Sequence, residues 1–382
     1  MRVLVCPDKF AGTLSAVAAA DAVRSGWLTM RPDDEVATLP LSDGGPGFLD
    51  VVEAALGRSG QAAPPIVKLP VATVDPLGRP VTGLVLLAGH TAYVESAQVC
   101  GLHLLAEGER DPLRTTSFGL GALIVAAVES GASEVVIGLG GSATNDGGAG
   151  MLAALGAAPV DRAGYVLPYG GAVLASCVGL TGVPRLRAAR LVAATDVDNP
   201  LTGPAGAAAV FGPQKGASAA EVEILDVALR RFAEVLGELP TCPPEVGWLP
   251  GAGAAGGIGA AILACGGRRE SGFGLVRALV GVDAAIGRAD LVITGEGSFD
   301  EQSLRGKVTA GVAGVAKRLG RPCLVLAGRV TVDQRAAAAA GVSAAYALVD
   351  HVGSIEAAVA RPEQALAGLA ERVARHPALP DA

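Results

Sequence analysis

Aromatic residues make up only 3% of this 382-residue chain, and histidine occurs four times. His90, His103, His351 and His376 share no motif, so neither a zinc site nor a histidine-based triad has support. The six cysteines, Cys6, Cys100, Cys177, Cys242, Cys265 and Cys323, form no C-x-x-C pair and sit among apolar neighbours. They read as reduced thiols of a cytosolic protein. Clustered positive charge is lacking too: the net charge is -7 and no basic stripe appears, which argues against a nucleic-acid partner. Pro250 to Gly267 is uncharged, but its glycines make it a poor membrane span, and the apolar run of "MRVLVCPDK" is too short for a signal peptide. A cytoplasmic protein without a membrane partner is expected.

What remains is a chain that is 51% hydrophobic and 18% charged, suited to a globular interior, and long enough for two domains. The strand "RVLVC" (2–6) is followed by a polar loop and by an amphipathic stretch, Ala16 to Met30, with Ser15 as a plausible N-cap. A strand over 35–41 and a helix from Phe48 continue the rhythm. It returns near the carboxyl end, with strands at 289–295, 322–328 and 344–349 separated by helices. Continuous apolar strands alternating with helices predict a parallel sheet covered on both faces, which binds ligands beyond its strands' carboxyl ends.

The middle differs. From Val67 to Ser96, three β-rich runs joined by "DPLGRP" and "AGH" predict an antiparallel meander. A helix from about Gly119, a strand at 134–140, a strand at 190–196 and a helix around 219–237 follow. Two domains are therefore expected: a parallel-sheet domain from residues 1–65 and 284–382, and an inserted α/β domain at 66–283. The active site should lie between them.

Five glycine loops follow or flank the strands: "PDKFAGT" (7–13), "SDGGPG" (42–47), "GLGGSATNDGGAG" (138–150), "TDVDNPLTGP" (195–204) and "TGEGSFD" (294–300). Glycine lets backbone approach a ligand, and successive N–H groups form an anion-binding nest. Singly, each is more often a tight turn; five at strand ends are hard to dismiss. The third loop offers backbone donors, the hydroxyls of Ser142 and Thr144, the Asn145 amide and a helix N-terminus, so phosphate binding is the natural hypothesis.

No Walker sequence exists, because Lys307 in "RGKV" is followed by Val308. "GAGAAG" (251–256) spells G-x-G-x-x-G, yet no convincing strand precedes it, so a dinucleotide fold is disfavoured. Asp196 and Asp198 end a strand and are suited to accept a hydroxyl proton, to hold Mg²⁺ through water, or to cap a turn. Glu296 and Asp300 present a similar choice between Mg²⁺ ligation and an Asx-type turn. Lys215 and Lys307 either neutralise charge on phosphate oxygens or are solvated caps.

Seven stretches, in the order "PDKFAGTLSA", "LSDGGPG", "GLGGSATNDGGAGM", "ATDVDNPLTGP", "VFGPQKGA", "PGAGAAGGIGA" and "ADLVITGEGSFDEQS", resemble the bacterial glycerate kinase family, its glycerate 2-kinases in particular. The resemblance runs from residue 1 to about 330. It implies ATP-dependent, Mg²⁺-assisted phosphorylation of D-glycerate, usually at the 2-hydroxyl, by a phosphotransferase acting on an alcohol group. It also implies a flavodoxin-like, doubly wound domain built from both chain ends, interrupted by a second α/β domain with a mixed, barrel-like sheet. Carried over by position, Asp43, Gly44 and Gly45 line the hydroxy-acid site and Asp196 is the base or orienter of the attacking hydroxyl; Lys9 is counted with the substrate-binding residues in place of the family's lysine two positions on, and Lys215 and Lys307 are counted with the catalytic ones. Gly140, Gly141, Ser142 and Asn145 face ATP phosphates; Glu296 and Asp300 help hold Mg²⁺ or shape the site. The chain departs from the family's usual "PDSFKGS" at Lys9 and Ala11 and from "DGGEG" at Pro46. A kinase for another small hydroxy acid and a hydroxy-acid-binding protein without turnover remain alternatives, and a homodimer is left open.

Overall fold

The computed structural model describes residues 1–10, 12–58, 65–304 and 308–377. Its strands, in chain order, are β1 (Arg2–Val5), β2 (Glu35–Thr38), β3 (Ile66–Val74), β4 (Pro80–Ala88), β5 (Thr91–Glu95), β6 (Glu134–Gly138), β7 (Pro159–Val160), β8 (Gly179–Leu180), β9 (Arg190–Ala194), β10 (Arg268–Glu270), β11 (Leu291–Phe299), β12 (Cys323–Val330) and β13 (Ala344–Ala347). The chain divides into two compact units. One comprises Met1–Asp43, Asp50–Arg58 and Phe273–Ala382; the other comprises Gly44–Leu49 and Ser59–Gly272.

The first unit is built on a parallel sheet in the order β13-β12-β11-β1-β2. Renumbered within the unit this is 2-1-3-4-5 read from its other edge, the doubly wound order of flavodoxin, whose switch point falls between β1 and β11. The central strands are apolar on both faces, as burial beneath helices on each side requires. α1 (Ala16–Met30) starts where Ser15 Oγ accepts the Ala18 N–H at 3.1 Å, so the N-cap read from sequence is present. Its small apolar stripe, Ala19, Ala20, Val23 and Trp27, joins Val3, Val5, Ile293 and Leu326 in one core with Leu366 and Leu369 of the helix Pro362–Arg375. Trp27 sits wholly within it and satisfies its Nε1–H on Asp34 Oδ2 at 2.9 Å. β11 runs on to Phe299, because its pairing with β12 continues through Ser298↔Arg329 and Phe299↔Val330.

The second unit carries a mixed sheet in the order β10-β9-β6-β5-β4-β3. β3, β4 and β5 form the expected antiparallel meander, whereas β5, β6, β9 and β10 run parallel. The sheet is open, with β10 and β3 as its edges, so the barrel-like form expected from the resemblance does not extend to closure. Leu120, Leu123, Ile124, Ile137, Leu229, Phe232 and Ile258 fill the core beside it. Burying each such side chain contributes roughly 1.5–3 kcal/mol. The helix Ala219–Leu236 is set by a capping box in which Ser218 and Glu221 satisfy each other's backbone N–H groups. No helix of the described residues is long and apolar enough to cross a membrane.

Candidate active site

In the first unit, the carboxyl end of β1 feeds Pro7, Asp8 and Lys9 toward the switch point. Lys9 Nζ lies 3.2 Å from Asp43 Oδ1 and 3.7 Å from Asp8 Oδ1. Asp8 is buried, and its Oδ1 also accepts the Lys9 backbone N–H at 2.7 Å. Burial, followed by the charges of Asp43 and Glu296, pushes the Asp8 carboxyl up to about 7 despite Lys9. Asp8 was absent from the sequence-derived site, although it immediately precedes Lys9 in a loop that was singled out; a carboxylate beside a lysine reads as an ordinary surface pair.

Glu296 is a strand residue, 9% exposed, paired in register with Ala327. Asp300 follows the strand and makes an Asx turn: its Oδ1 accepts the N–H groups of Gln302 at 2.9 Å and Ser303 at 3.3 Å. Ser298 Oγ donates to its Oδ2 at 3.3 Å, and Ser303 Oγ donates to the Ser298 carbonyl at 3.0 Å. Lys307 lies outside the described residues.

In the second unit, the loops 44–47 and 138–141 lie against each other. A Cβ on Gly140 would stand 2.5 Å from the Gly45 Cα, and one on Gly44, whose φ is +91°, would stand 2.4 Å from the Ala194 carbonyl oxygen. The Pro46 ring covers Gly141, where a Cβ would meet its Cγ at 2.8 Å. These glycines therefore permit close backbone packing. The end of β5 supports both loops. Glu95 Oε2 accepts the N–H groups of Gly47 and Leu49, each at 3.1 Å, and Ser96 donates its N–H at 3.1 Å and its Oγ–H at 2.8 Å to the Gly138 carbonyl.

Beneath the 138–150 loop lies a polar knot. Lys215, 2% exposed, donates from Nζ to Ser142 Oγ at 3.0 Å and to the Thr144 carbonyl at 2.5 Å. Burial lowers its ammonium to about 7, with Asp146 and Cys100 working against that fall. Asp146 is enclosed and takes the Ser117 N–H and Oγ–H, both at 2.8 Å, together with the amides of Gly148 and Gly150 at the start of the helix Ala149–Ala154. Burial raises this carboxyl as well, although those donors favour its ionised form.

The Asn145 side chain is fully buried, and neither its Oδ1 nor its Nδ2 meets a hydrogen-bonding group among the described residues. An orphaned amide of this kind calls for a polar partner. Gly140 and Gly141 reach the surface above it, whereas Asn145 and Lys215 lie below. Gly140, Gly141, Ser142, Gln214, Lys215 and Ala255 line a cavity of about 100 Å³. Ala255 stands there in the left-handed region, with φ at 51°, which is unfavourable for a residue with a Cβ.

Of the acidic loop after β9, Asp196 accepts a hydrogen bond from Ser271 Oγ at 2.6 Å. Asp198 instead pairs with Arg269 at 2.7 Å, and Asn199 Nδ2 braces the turn by donating to the Ala205 carbonyl at 2.8 Å. The two aspartates thus have different tasks. The "GAGAAG" segment follows a short 3-10 turn, Val246–Trp248, rather than a strand. Gly147 N donates to the Gly256 carbonyl at 2.9 Å, so this segment packs against the 144–147 backbone. A dinucleotide turn is not its setting.

Among the described residues, no three His, Cys, Asp or Glu side chains gather to hold a metal ion by themselves. Mg²⁺ commonly takes one or two carboxylates and otherwise water and substrate phosphates. One or two carboxylates such as those of Glu296 and Asp300 are the protein donors that a nucleotide-borne Mg²⁺ takes, and Asp300 is engaged in its turn.

Residues 3–377 match the family model described as the glycerate kinase family. The chain is 40% identical over 364 residues to "Glycerate 2-kinase" of Escherichia coli strain K12, covering 94% of this chain and 93% of that protein. It is 40% identical over 356 residues to "Glycerate kinase" of Bacillus subtilis strain 168, covering 91% and 90%. Among solved structures, that of a "putative glycerate kinase 2 from Salmonella typhimurium LT2" superposes with a TM-score of 0.78 at 39% identity, covering 98% of this chain and 97% of that one.

Proposed function

Since the chain belongs to the glycerate kinase family, we propose that it transfers the γ-phosphoryl group of ATP to the 2-hydroxyl of D-glycerate, giving 2-phosphoglycerate and ADP. The observation that carries this reading is the family match over residues 3–377. Phosphoryl transfer passes through a loose transition state in which positioning and charge stabilisation matter more than covalent chemistry. The polar groups at the strand ends supply both kinds of help.

Asp196 is the acceptor of the hydroxyl proton as the substrate oxygen bonds to phosphorus and the bond from phosphorus to the departing ADP oxygen breaks. Its hydrogen bond from Ser271 fixes the carboxylate plane. Lys9 supplies positive charge for the acid's carboxylate, while Asp43 and the backbone of Gly44 and Gly45 orient the hydroxyls. Gly140, Gly141 and Ser142 receive phosphate oxygens. From beneath, Lys215 donates to the Ser142 hydroxyl and so aligns that oxygen's own proton outward. Asn145 completes the lower wall. Mg²⁺ bound by Glu296 and Asp300 would neutralise negative charge on the phosphates.

The test is ADP release by the purified protein supplied with MgATP and D-glycerate, with enolase added to the product directly. Turnover with direct conversion by enolase is the expected result. Product that requires a mutase first would move the phosphate to the 3-hydroxyl, and no ADP release would overturn the reading.

A further inference from the structure

We propose that Glu95 is the positioning residue of the hydroxy-acid loop; the inference rests on the reading that Asp43, Gly44 and Gly45 hold that acid. Glu95 ends β5, a strand hydrogen-bonded on both sides, antiparallel to β4 and parallel to β6. It is 5% exposed and directs Oε2 at two amides, those of Gly47 and Leu49. These amides open α2 (Phe48–Arg58), where unpaired N–H groups and the helix dipole favour an anion. A carboxylate supplied by the protein thus occupies the helix start, and the acid-binding backbone lies immediately before it.

The need for such an anchor follows from the loop itself. Gly44 and Gly47 both have positive φ, at 91° and 88°, and glycine gains no conformational restriction from a side chain. Left alone, the segment would sample many backbone states. Charge-assisted bonds from one carboxylate to residues 47 and 49 remove that freedom at one end. At the neighbouring residue of β5's end, Ser96 Oγ donates to the Gly138 carbonyl, so the partner loop is fixed from the same strand. Glu95 therefore acts through the backbone of Gly44 and Gly45 without itself touching the substrate, and its effect falls on the acid's binding rather than on the nucleotide's.

The experiment compares the full-length wild type with Glu95→Ala and Glu95→Gln, reading KM for D-glycerate and for ATP together with amide hydrogen exchange of residues 44–49. Glu95→Ala should raise the glycerate KM about 10-fold or more, the size expected when two charge-assisted bonds are lost, and should leave the ATP KM within about twofold. Exchange at Gly47 and Leu49 should accelerate, and saturating D-glycerate should restore part of the protection. Glu95→Gln keeps an acceptor oxygen in place and should recover most of the glycerate KM. It also serves as the working variant if the alanine form does not fold: its neutral oxygen accepts more weakly than a carboxylate, so exchange at Gly47 and Leu49 faster than in the wild type, though slower than full loss of the bonds would give, supports the inference and unchanged exchange overturns it. Equal changes in both KM values, or an unchanged glycerate KM in a folded Glu95→Ala variant, would also overturn it. Failure of the wild type to turn over D-glycerate would overturn the functional reading and this inference with it, and is recognised by its appearance before any substitution is made.

Discussion

Ser271 Oγ and Asp196 Oδ1 are 2.6 Å apart, joined by a hydrogen bond between the ends of two neighbouring parallel strands, β9 and β10. The register Ala194↔Glu270 brings the two loops abreast, so the contact follows from sheet pairing rather than from chance loop geometry. If Asp196 takes the substrate's proton, Asp196→Asn should reduce kcat by about 10²-fold or more with thermal unfolding unchanged. Ser271→Ala should cost about 5-fold, the equivalent of one hydrogen bond of about 1 kcal/mol. Steady-state kinetics alongside a melting curve checks both, and near-normal turnover of the Asn variant would remove Asp196 from its role.

Lys215 makes pH a probe of the polar knot. Its ammonium, ordinarily at 10.5, is lowered to about 7 in the folded protein, so between those values the unfolded chain binds the extra proton. Stability contributed by this site therefore rises as pH increases from about 7 to about 10.5 and does not change below 7. In Lys215→Met, denaturant titrations across that window should lose this upward slope. Turnover should show the opposite trend in the wild type, falling above about pH 7 as the ammonium that aligns Ser142 is lost, and the Met variant should have lost that limb with most of its activity.

Two glycines in adjacent loops should respond differently to alanine. Gly140→Ala places a Cβ 2.5 Å from the Gly45 Cα, a backbone clash that no rotamer relieves. It should cost about 2 kcal/mol or more in urea unfolding. A Cβ on Gly47 meets nothing within 4 Å, so Gly47→Ala carries only the strain of its positive φ, about 1–2 kcal/mol. Equal losses for the two would show that the loops do not pack as described.

Chelation should separate catalysis from folding. If, as proposed, Mg²⁺ reaches the site on the nucleotide's phosphates, EDTA in excess should abolish turnover yet leave the melting temperature of the nucleotide-free protein where it was. The donor set among the described residues includes no three-ligand cluster whose filling would stabilise the fold. A clear fall in melting temperature on adding EDTA would point to a standing metal site.

Much of the fold was legible because its signals are local. The stretch 16–30 reads as a helix from its periodicity and its serine cap, and both are present. The meander from Val67 to Ser96 reads from alternation and turn residues; Asp75 secures its first turn by accepting the N–H groups of Leu77 and Arg79. The end of β11 was misread because glycine, serine and glutamate in "GEGSF" look like a turn. Pairing with β12 holds them extended, and such pairing is not a property of the segment.

The candidate site was read from sequence as a set of loops, and the contacts within those loops were not legible there. Nothing near Lys215 in sequence tells that it is buried; the glycines beside it suggest a surface turn, and its partners Ser142 and Thr144 are 73 and 71 residues away. Glu95 and Asp146 were passed over for the same reason. Glu95 ends an ordinary strand and reaches amides 48 and 46 residues back, and Asp146 answers to Ser117. Asp300 is the reverse case: both its turn and its ligand role were foreseen as alternatives, and the hydrogen bonds are those of the turn.

The position of β1 has a consequence for how the protein is made. This strand pairs with β2 on one side, but its other partner, β11, begins only at Leu291. While the ribosome is still translating the middle of the message, the sheet of the first unit stops at β1, with one edge of that strand unpaired. The second unit has all of its residues once Gly272 has been added. Order of synthesis thus favours the insert maturing first, with β1 waiting until β11, in the last quarter of the 382 residues, has left the exit tunnel.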